Sequence, residues 1–552
     1  MRSRTSLDEV VNLSRADWRF LLPCPKENSF QHLVLLGETS DLPERLVDVG
    51  IARQVSCEVP SAQSADALVV LHNAHVNLKA AVSCLAPGGS LYYEIDRRSP
   101  SGLLLSPNRV QRLVRELGLT PTGLYWAIPN FIQCKKYLPL DVPGALGWYL
   151  KTLFPAMTPI DRLFEIGVRA ITGLNSRRLA PLVPCFSVTA IAGSLPFAAP
   201  SILGHAALPI RLQKLSLRPF LLTSRYDEGS RVVVMPFTRE SRQPLAAMKI
   251  SRVASFNINT EREQETLAIV RQRLDGTMQD TIPNPFGVLR YGDLAVGLES
   301  YAEGNSLVVS SGRWRLPVRH KLDDLHLVAD WLAEFHRQAQ VKRIEWNPSE
   351  IATWIEKPLA AYTRVFGNTA GEESLFAQVR SGAESLLGAS LPIVWQHNDF
   401  GPWNLYRDGR KLTVIDWEFG HDRERNRFGP PLCDLLYFVT HWRYITECLH
   451  SDNTQLQAFR DLFFARRRGG VAVKTIHHVI SEYMAQLGID REFFPILLVY
   501  TWIDRAVDRL ARQRIWEKTV QEPRLGNRYV DYIRIIADNA DQLFPLGRVG
   551  AH

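Results

Sequence analysis

One stretch in the second half of the chain, residues 395–420, constrains the fold more than any other. It reads WQHNDFGPWNLYRDGRKLTVIDWEFG. The apolar alternation in LTVIDWE predicts a buried strand that delivers Asp416 to a cleft. Amide and carboxylate oxygens are donors that Mg2+ prefers, and phosphoryl transfer also needs a carboxylate to hold the acceptor hydroxyl. The stretch therefore indicates a phosphoryl-transfer site, and the alternative is a surface turn with Asx caps before an ordinary strand.

The order of these residues resembles that of the aminoglycoside phosphotransferase and choline kinase group, relatives of protein kinases. That group carries H-x-D-x-x-x-x-N followed by an apolar strand ending in I-D-x-[ED], and this chain has HNDFGPWN at 397–404 and IDWE at 415–418. The flanking WLAEFHRQ and PPLCDLLYFV also match the group. The resemblance extends over roughly residues 215–550 and implies an α+β bilobal, protein-kinase-like fold with ATP and Mg2+ as cofactors.

The resemblance also assigns roles to individual residues. Asp399 would be the catalytic base, and His397 would brace the loop around it. Asn404 and Asp416 would bind magnesium, while Glu418 would help at the metal or organise its surroundings. We expect these residues to act together on one nucleotide.

The cation that fixes the nucleotide phosphates is expected on the small lobe. In PLAAMKIS, a period-2 strand ends in A-x-K, the pattern with which the kinase group reaches phosphate, and Lys249 is its lysine. Its partner glutamate is expected on the following helix, 259–274. Glu263 is our choice, Glu265 is the alternative, and Glu261 is expected to be solvated, because the residue count alone does not fix the helix phase.

Two further segments complete the expected nucleotide site. The turn YDEGS offers Gly229 and Ser230 for contact with phosphate through backbone amides. LESYAEGNSL matches the hinge of the kinase group, where backbone from Ser300 to Ala302 would hydrogen-bond adenine.

The first part of the chain, residues 1–195, alternates short apolar strands with helices. This rhythm predicts a mostly parallel α/β sheet. The segment LAPGGSLYYEID resembles a turn and strand of class I S-adenosylmethionine-dependent methyltransferases, which implies a Rossmann-like fold and S-adenosylmethionine (SAM) as cofactor. The first strand, however, is followed by LLGETSD, with Gly37 alone and no G-x-G. We therefore expect a degenerate domain, with a working methyltransferase as the alternative.

Composition limits the classes of binding partner and the cellular compartment that are expected for the chain. The net charge of +8 fits phosphates, anionic lipid or nucleic acid, but the chain has no aromatic-plus-basic RNA-binding motif and no zinc-finger spacing, so nucleic acid is not expected. Seven scattered cysteines without C-x-x-C predict reduced thiols and a cytoplasmic protein. Residues 179–210 carry no Asp, Glu, Lys or Arg but contain five prolines, which favours a buried strand and linker over a membrane span, with peripheral membrane contact as the alternative.

These features together predict four parts: a methyltransferase-like domain at 1–195, an apolar Pro-rich linker at 196–214, a kinase-like small lobe at 215–304, and a helical large lobe at 305–552. The leading interpretation is a phosphotransferase that acts on a hydroxyl of a small molecule, a sugar or a glycan. A bifunctional methyltransferase–kinase and a nucleotide-binding pseudokinase scaffold are the alternatives.

Overall fold

The chain forms two compact units in the computed structural model. The first unit comprises Met1–Lys151, Leu163–Gln264 and Asn284–Tyr301, and the second comprises Thr152–Arg162, Glu265–Pro283 and Ala302–His552. The structure describes residues 15–23, 29–37, 41–60, 63–100, 102–193, 217–223, 230–417, 428–465, 470–516 and 522–544. The predicted linker, 196–214, lies outside these ranges.

Twelve strands of the first unit join one continuous sheet. They are β1 (Phe30–Leu36), β2 (Ala52–Ser56), β3 (Ala65–Val70), β4 (Leu85–Asp96), β5 (Leu119–Ile128), β6 (Lys136–Pro139), β7 (Cys185–Ala192), β8 (Leu217–Leu222), β9 (Arg231–Thr238), β10 (Ala247–Ser251), β11 (Pro285–Tyr291) and β12 (Leu294–Glu299). Their spatial order is β11-β12-β10-β9-β8-β6-β5-β7-β4-β3-β1-β2. The short strands expected in residues 1–195 are therefore present, as β1 to β7.

The sheet is parallel at one end and antiparallel elsewhere. Strands β2, β1, β3 and β4 are parallel, and the apolar runs LVLL of β1 and ALVV of β3 are typical of parallel strands covered on both faces. From β7 onward every described pairing is antiparallel. The pairs Lys136↔Leu222 and Tyr137↔Leu221 join β6 to β8, so the N-terminal strands and the expected small-lobe strands share one sheet.

Among the described residues, seven helices lie wholly or partly in the first unit. They are α1 (Leu42–Asp48), α2 (Leu78–Val82), α3 (Pro107–Glu116), α4 (Ala145–Thr152), α5 (Pro159–Thr172), α6 (Ser176–Leu179) and α7 (Asn257–Arg273). Helix α3 shows how the sequence fixes its start, because the Ser106 hydroxyl accepts a hydrogen bond from the Arg109 amide at 3.3 Å. The helices predicted near 108–119 and 259–274 correspond to α3 and α7.

The N-terminal segment of the first unit is mostly buried, and its charged side chains form ion pairs and hydrogen bonds with the sheet. A 3-10 helix, Asp17–Leu21, has every residue buried. Asp17 forms an ion pair with Arg252 at 2.8 Å, and both side chains are fully buried. Arg19 donates to the Arg252 carbonyl at 2.6 Å, and Arg15 pairs with the Glu94 carboxylate at 3.0 Å. This segment therefore ties β4 to the end of β10 within one unit.

The second unit is mainly helical. Its helices are α8 (Gly276–Gln279), α9 (Leu307–Ser311), α10 (Val318–Gln338), α11 (Pro348–Ile351), α12 (Lys357–Phe366), α13 (Ala370–Ser385), α14 (Cys433–Thr446), α15 (Asp452–Phe463), α16 (Val471–Gln486), α17 (Phe493–Trp516), α18 (Arg528–Ala537) and α19 (Ala540–Leu543). A large apolar core packs α10, α14, α16 and α17 together. Among the helices described, none is both long enough and apolar enough to cross a bilayer.

Short strands frame one edge of this helical unit. They are β13 (Asn305–Ser306), β14 (Gln340–Glu345), β15 (Ser390–Trp395), β16 (Leu405–Asp408), β17 (Lys411–Val414) and β18 (Phe428–Gly429). Strands β14 and β15 pair within residues 305–552, which the sequence predicts as a helical large lobe. Short apolar runs such as SLPIVW suit a strand and a buried helix equally well, so periodicity alone does not identify them.

Candidate active site

The loop between β15 and β16 is held by a buried carboxylate. Asp434, near the start of α14, accepts hydrogen bonds from the amides of His397 at 2.7 Å and Asn398 at 3.1 Å. Asn398 has a left-handed backbone, with φ of 64°. Burial raises the pKa of Asp434, but His336, whose Nε2 lies 3.7 Å from Asp434 Oδ2, and the Arg505 guanidinium lower it, and the net pKa lies below the usual value. Asp434 thus holds the backbone of the loop through two amides.

His397 links the loop to the end of the following hairpin. Its Nε2 lies 2.9 Å from the Ile415 carbonyl, and its Nδ1 lies 3.2 Å from the Asp399 amide. A carbonyl only accepts and an amide N–H only donates, so Nε2 carries the proton and Nδ1 accepts. The imidazole is 1 % exposed. His397 therefore positions the backbone on both sides of the loop and is a positioning residue.

Asp399 presents a carboxylate oriented by three neighbours. Its Oδ2 accepts from Asn404 Nδ2 at 2.9 Å and from Trp403 Nε1 at 3.2 Å. Its Oδ1 accepts from the Tyr437 hydroxyl at 3.2 Å. Burial raises the pKa of Tyr437 well above its ordinary value, which keeps that phenol neutral and able to donate. The side chain of Asp399 remains partly exposed, so its oxygens have room for a further donor.

Asn404 and Asp416 are brought together by the β16–β17 hairpin. Leu405 pairs with Val414, and the Ile415 amide donates to the Asn404 carbonyl at 2.9 Å. Asp416 follows directly and adopts a left-handed backbone with φ of 67°, a conformation uncommon for a residue other than glycine. Such strained residues cluster at functional sites. Glu418 lies outside the described residues.

Three neighbours of this loop were missed in the sequence. Tyr437 and Trp403 contact Asp399 directly, and Arg505 donates to the Asn398 carbonyl while its guanidinium lies 4.4 Å from the Tyr437 ring centroid. Tyr437 stands one helical turn after Asp434 in α14, so spacing could have placed both on the same side of that helix. Arg505 belongs to α17. No local sequence pattern could have predicted its contact with Asn398, because the two residues lie far apart along the chain.

Lys249 lies in a buried cluster of charges in the first unit. Its ammonium forms an ion pair with Glu263 of α7 and lies 3.3 Å from the Glu299 carboxylate. Arg231 pairs with the other oxygen of Glu263. The structure thus brings Lys249 to the glutamate chosen from the sequence, whereas Glu265 is exposed.

The geometry around β12 explains how Glu263 reaches Lys249. Gly297 stands opposite Lys249 in the register of β10 and β12. A Cβ at this glycine would meet Gln264 Nε2 at 3.0 Å and Thr260 Cγ2 at 3.1 Å. Because Gly297 carries no side chain, α7 approaches the sheet closely at this point.

The other residues expected to contact the nucleotide are Gly229, Ser230 and the backbone from Ser300 to Ala302. Gly229 lies outside the described residues. Ser230 is buried, and its hydroxyl accepts a hydrogen bond from Arg252. The Ser300 amide donates to the Asn284 carbonyl at 2.9 Å, and adenine binding by the backbone from Ser300 to Ala302 stays a prediction. Ala302 is buried and belongs to the second unit.

Comparison with known proteins places part of the chain in a family. Residues 254–468 match the profile of the phosphotransferase enzyme family. No curated protein matched the sequence.

The solved structures that resemble the chain are distant. A glucosamine kinase is 12 % identical, with a TM-score of 0.34, over 60 % of this chain and 78 % of that chain. An amicoumacin kinase in complex with AMP-PNP, Ca2+ and Ami is 11 % identical, with a TM-score of 0.33, over 58 % and 88 %. An aminoglycoside phosphotransferase from Streptomyces rimosus, in complex with ADP and streptomycin, is 15 % identical, with a TM-score of 0.29, over 50 % and 89 %. Similarity at this level says nothing about the acceptor.

The family match covers the segment that holds Glu263, Asp399, Asn404 and Asp416. It confirms the enzyme class expected from the sequence. Residues 254–468 are therefore similar to the phosphotransferases of this family, which is the class of enzyme expected from the sequence.

Proposed function

We propose that the chain transfers the terminal phosphoryl group of ATP to a hydroxyl of a small molecule, a sugar or a glycan. The observation that carries the proposal is the Asp399 carboxylate, which three donors orient while it stays partly exposed. The test is ADP release with a panel of sugar, amino-alcohol and aminoglycoside acceptors. Acceptor-dependent ADP release supports the proposal. Nucleotide binding without turnover for every acceptor would instead favour the pseudokinase scaffold.

The chemistry asks little of the protein beyond orientation and charge. The acceptor hydroxyl donates its hydrogen bond to Asp399, and its oxygen forms a bond to the terminal phosphorus of ATP. The bond from that phosphorus to the oxygen of the departing ADP breaks, and the hydroxyl proton passes to Asp399. Asn404, Trp403 and Tyr437 keep the carboxylate in the orientation that receives the proton.

Lys249 supplies the positive charge for the nucleotide phosphates in this proposal. Its ammonium is 4 % exposed and shares its charge with Glu263 and Glu299. A buried lysine held by carboxylates keeps a fixed position. It can therefore hold the nucleotide phosphates in one orientation, which a mobile, solvent-exposed lysine would not do. Ser230 would contribute backbone contacts to phosphate at the start of β9.

The side chains at the β16–β17 hairpin fit a magnesium ion. Asn404 turns its Nδ2 toward Asp399, which leaves its amide oxygen available as a ligand, and the backbone bond from Ile415 to Asn404 places Asp416 one residue further along. One amide oxygen and one carboxylate leave coordination positions for phosphate and water. Bound Mg2+ would neutralise phosphate charge, and Glu418 would assist.

Replacing Asp416 by asparagine is expected to raise the Mg2+ concentration that gives half-maximal turnover by about tenfold or more, because a charged ligand becomes neutral. Magnesium titration of ADP release measures the change. Asp408→Asn, on the exposed tip of the same hairpin, is the matched control and should titrate like the unaltered protein. Equal magnesium curves for Asp416→Asn and the control would remove Asp416 from the metal site.

The acceptor is proposed to be a sugar, either free or linked to a lipid or a polymer. Residues 343–367 mix aromatic side chains with both signs of charge, which does not suit a polycationic drug. Within this segment the Trp354 indole donates to Glu350 at 2.9 Å, and its ring lies 6.3 Å from that of Tyr500. Higher turnover with aminoglycosides than with sugars in the panel would contradict this choice.

We further propose that the N-terminal α/β part is a degenerate methyltransferase-like domain. Its parallel strands and the antiparallel β7 support the fold, but the surroundings of Gly37, directly after β1, do not fit SAM. A Cβ at Gly37 would meet Asn73 Oδ1 at 2.6 Å and Leu71 Cβ at 2.8 Å, so the protein's own side chains fill the space beside this glycine.

Calorimetric titration of the full chain with SAM is expected to show no binding heat, because Leu71 and Asn73 occupy the place where backbone would approach the cofactor. ATP with Mg2+, titrated into the same preparation, is the positive control. Stoichiometric SAM binding would instead favour the bifunctional methyltransferase–kinase.

A further inference from the structure

Helix α5 exposes large apolar side chains and buries polar ones, the reverse of an ordinary surface helix. It buries Glu165, Val168 and Thr172, two of which are polar. Its exposed side includes Ile160 at 77 %, Leu163 at 69 % and Ile171 at 66 % exposure. Single exposed apolar residues are common on proteins, but a helix that turns its polar residues inward and its large aliphatic residues outward is not.

Four of the five large apolar residues that α5 exposes form one stripe, and the fifth, Ile166, follows Leu163 at a spacing of three residues. Ile160, Leu163, Phe164 and Ile171 lie at spacings of three, four and seven residues, which places them on one side of the helix. Phe164 is 43 % exposed. We call this stripe the α5 face. Contiguous apolar surface of this kind marks a binding surface for a protein or a membrane.

Further exposed leucines lie on two loops of the first unit. Leu182 is 56 % exposed in the short turn that follows α6, and Leu103 and Leu104 are exposed after β4. Arg97 connects these two loops, because its amide donates to the Pro184 carbonyl at 2.8 Å and its guanidinium donates to the Pro181 carbonyl. Apolar exposure is therefore not confined to the helix.

The excess of positive charge in this region comes from the two arginines of α6, the helix that follows in the chain, because α5 itself carries two arginines and two acidic residues. Arg169, Arg177 and Arg178 are exposed, and Arg162 is partly exposed. The two acidic residues of α5 are engaged locally. Asp161 accepts from the Thr158 amide at 3.0 Å, and Glu165 is buried and paired with Arg169 at 2.9 Å. Apolar side chains flanked by arginines are typical of helices that lie in the interface of an anionic membrane.

We propose that the α5 face binds the surface of an anionic lipid membrane. The helix would lie in the plane of the interface with its aliphatic stripe among the acyl chains and its arginines at the headgroups. A second copy of the chain fits this face less well, because a twofold contact would bring the arginines of both copies together. The proposal does not depend on phosphoryl transfer, since it concerns binding without nucleotide.

Co-sedimentation of the full chain with vesicles tests the proposal. Vesicles of phosphatidylcholine with phosphatidylglycerol are compared with vesicles of phosphatidylcholine alone. We expect binding to the anionic vesicles that weakens as salt is added. The triple variant Ile160→Ser/Leu163→Ser/Ile171→Ser is expected to lower the partition coefficient at least about tenfold. The matched control, Leu387→Ser/Val471→Ser/Leu525→Ser, removes apolar residues of similar exposure from the second unit and should bind normally.

A single surface substitution provides a second test that does not depend on whether the triple variant folds. Arg178→Gln removes one exposed charge and is expected to weaken binding to anionic vesicles about fivefold, without effect on phosphatidylcholine alone. The proposal is overturned if the unaltered chain does not sediment with anionic vesicles, or if the triple variant binds as well as its matched control. It is also overturned if light scattering shows a dimer that the triple variant abolishes while vesicles remain unbound.

Discussion

Asp399→Asn is expected to lower kcat by about three to four orders of magnitude while the ATP dissociation constant stays nearly unchanged. The amide keeps an oxygen that accepts from Asn404, so the loop retains its shape, but it no longer accepts a proton from the acceptor. Steady-state ADP release in the presence of acceptor, together with calorimetry of ATP binding, measures the two quantities separately.

The control for this change is Asp408→Asn, which neutralises an exposed carboxylate on the neighbouring hairpin. It should leave kcat unaltered. If Asp399→Asn retains more than about a tenth of the normal kcat, Asp399 is not the base, since removing a general base costs at least about a hundredfold. Loss of ATP binding in Asp399→Asn would point to a collapsed loop instead.

Asp17→Ala is expected to lower the free energy of unfolding of the first unit by about 3–5 kcal/mol, because Arg252 is left buried without its carboxylate. Both side chains are fully buried in the ion pair. Denaturant unfolding followed by tryptophan fluorescence measures the loss. Glu334→Ala, which breaks an exposed pair with Arg337, is the control and should cost no more than about 1 kcal/mol.

A double replacement separates charge burial from the loss of packing. Asp17→Leu/Arg252→Met removes both charges and keeps apolar volume, so it should recover most of the stability that Asp17→Ala loses. A loss in Asp17→Ala no greater than in the Glu334→Ala control would show that the N-terminal segment does not hold β10 through this pair. Arg252 also donates to Ser230, so a destabilised pair should be accompanied by a higher KM for ATP.

The catalytic loop was largely predictable because its chemistry is local. The spacing of HNDFGPWN and the alternation of LTVIDWE predict a loop and a strand, and the β16–β17 register then joins Asn404 to Ile415. Lys249 and Glu263 were predictable for a similar reason, because a strand lysine is followed closely by the helix that carries its partner. Gly297 lets that helix approach the sheet. This role could not be predicted from the sequence, because it depends on the register that pairs β10 with β12.

Contacts between distant segments were not predictable from local patterns. Arg505 reaches the Asn398 carbonyl across more than a hundred residues, and Asp17 reaches Arg252 across more than two hundred. The joining of β6 to β8 in one sheet likewise depends on a pairing that no periodicity encodes. Helix α5 shows a further limit, because periodicity defines an apolar stripe but not which side faces solvent.

The most direct test of the account is the identity of the product formed from ATP. The full chain is incubated with ATP, Mg2+ and a metabolite and glycan extract, and products are analysed by phosphorus NMR and mass spectrometry. The account predicts a phosphate ester on a hydroxyl compound, formed in equal amount with ADP and absent with Asp399→Asn. Release of ADP with inorganic phosphate alone, or the same ester with Asp399→Asn, would contradict it.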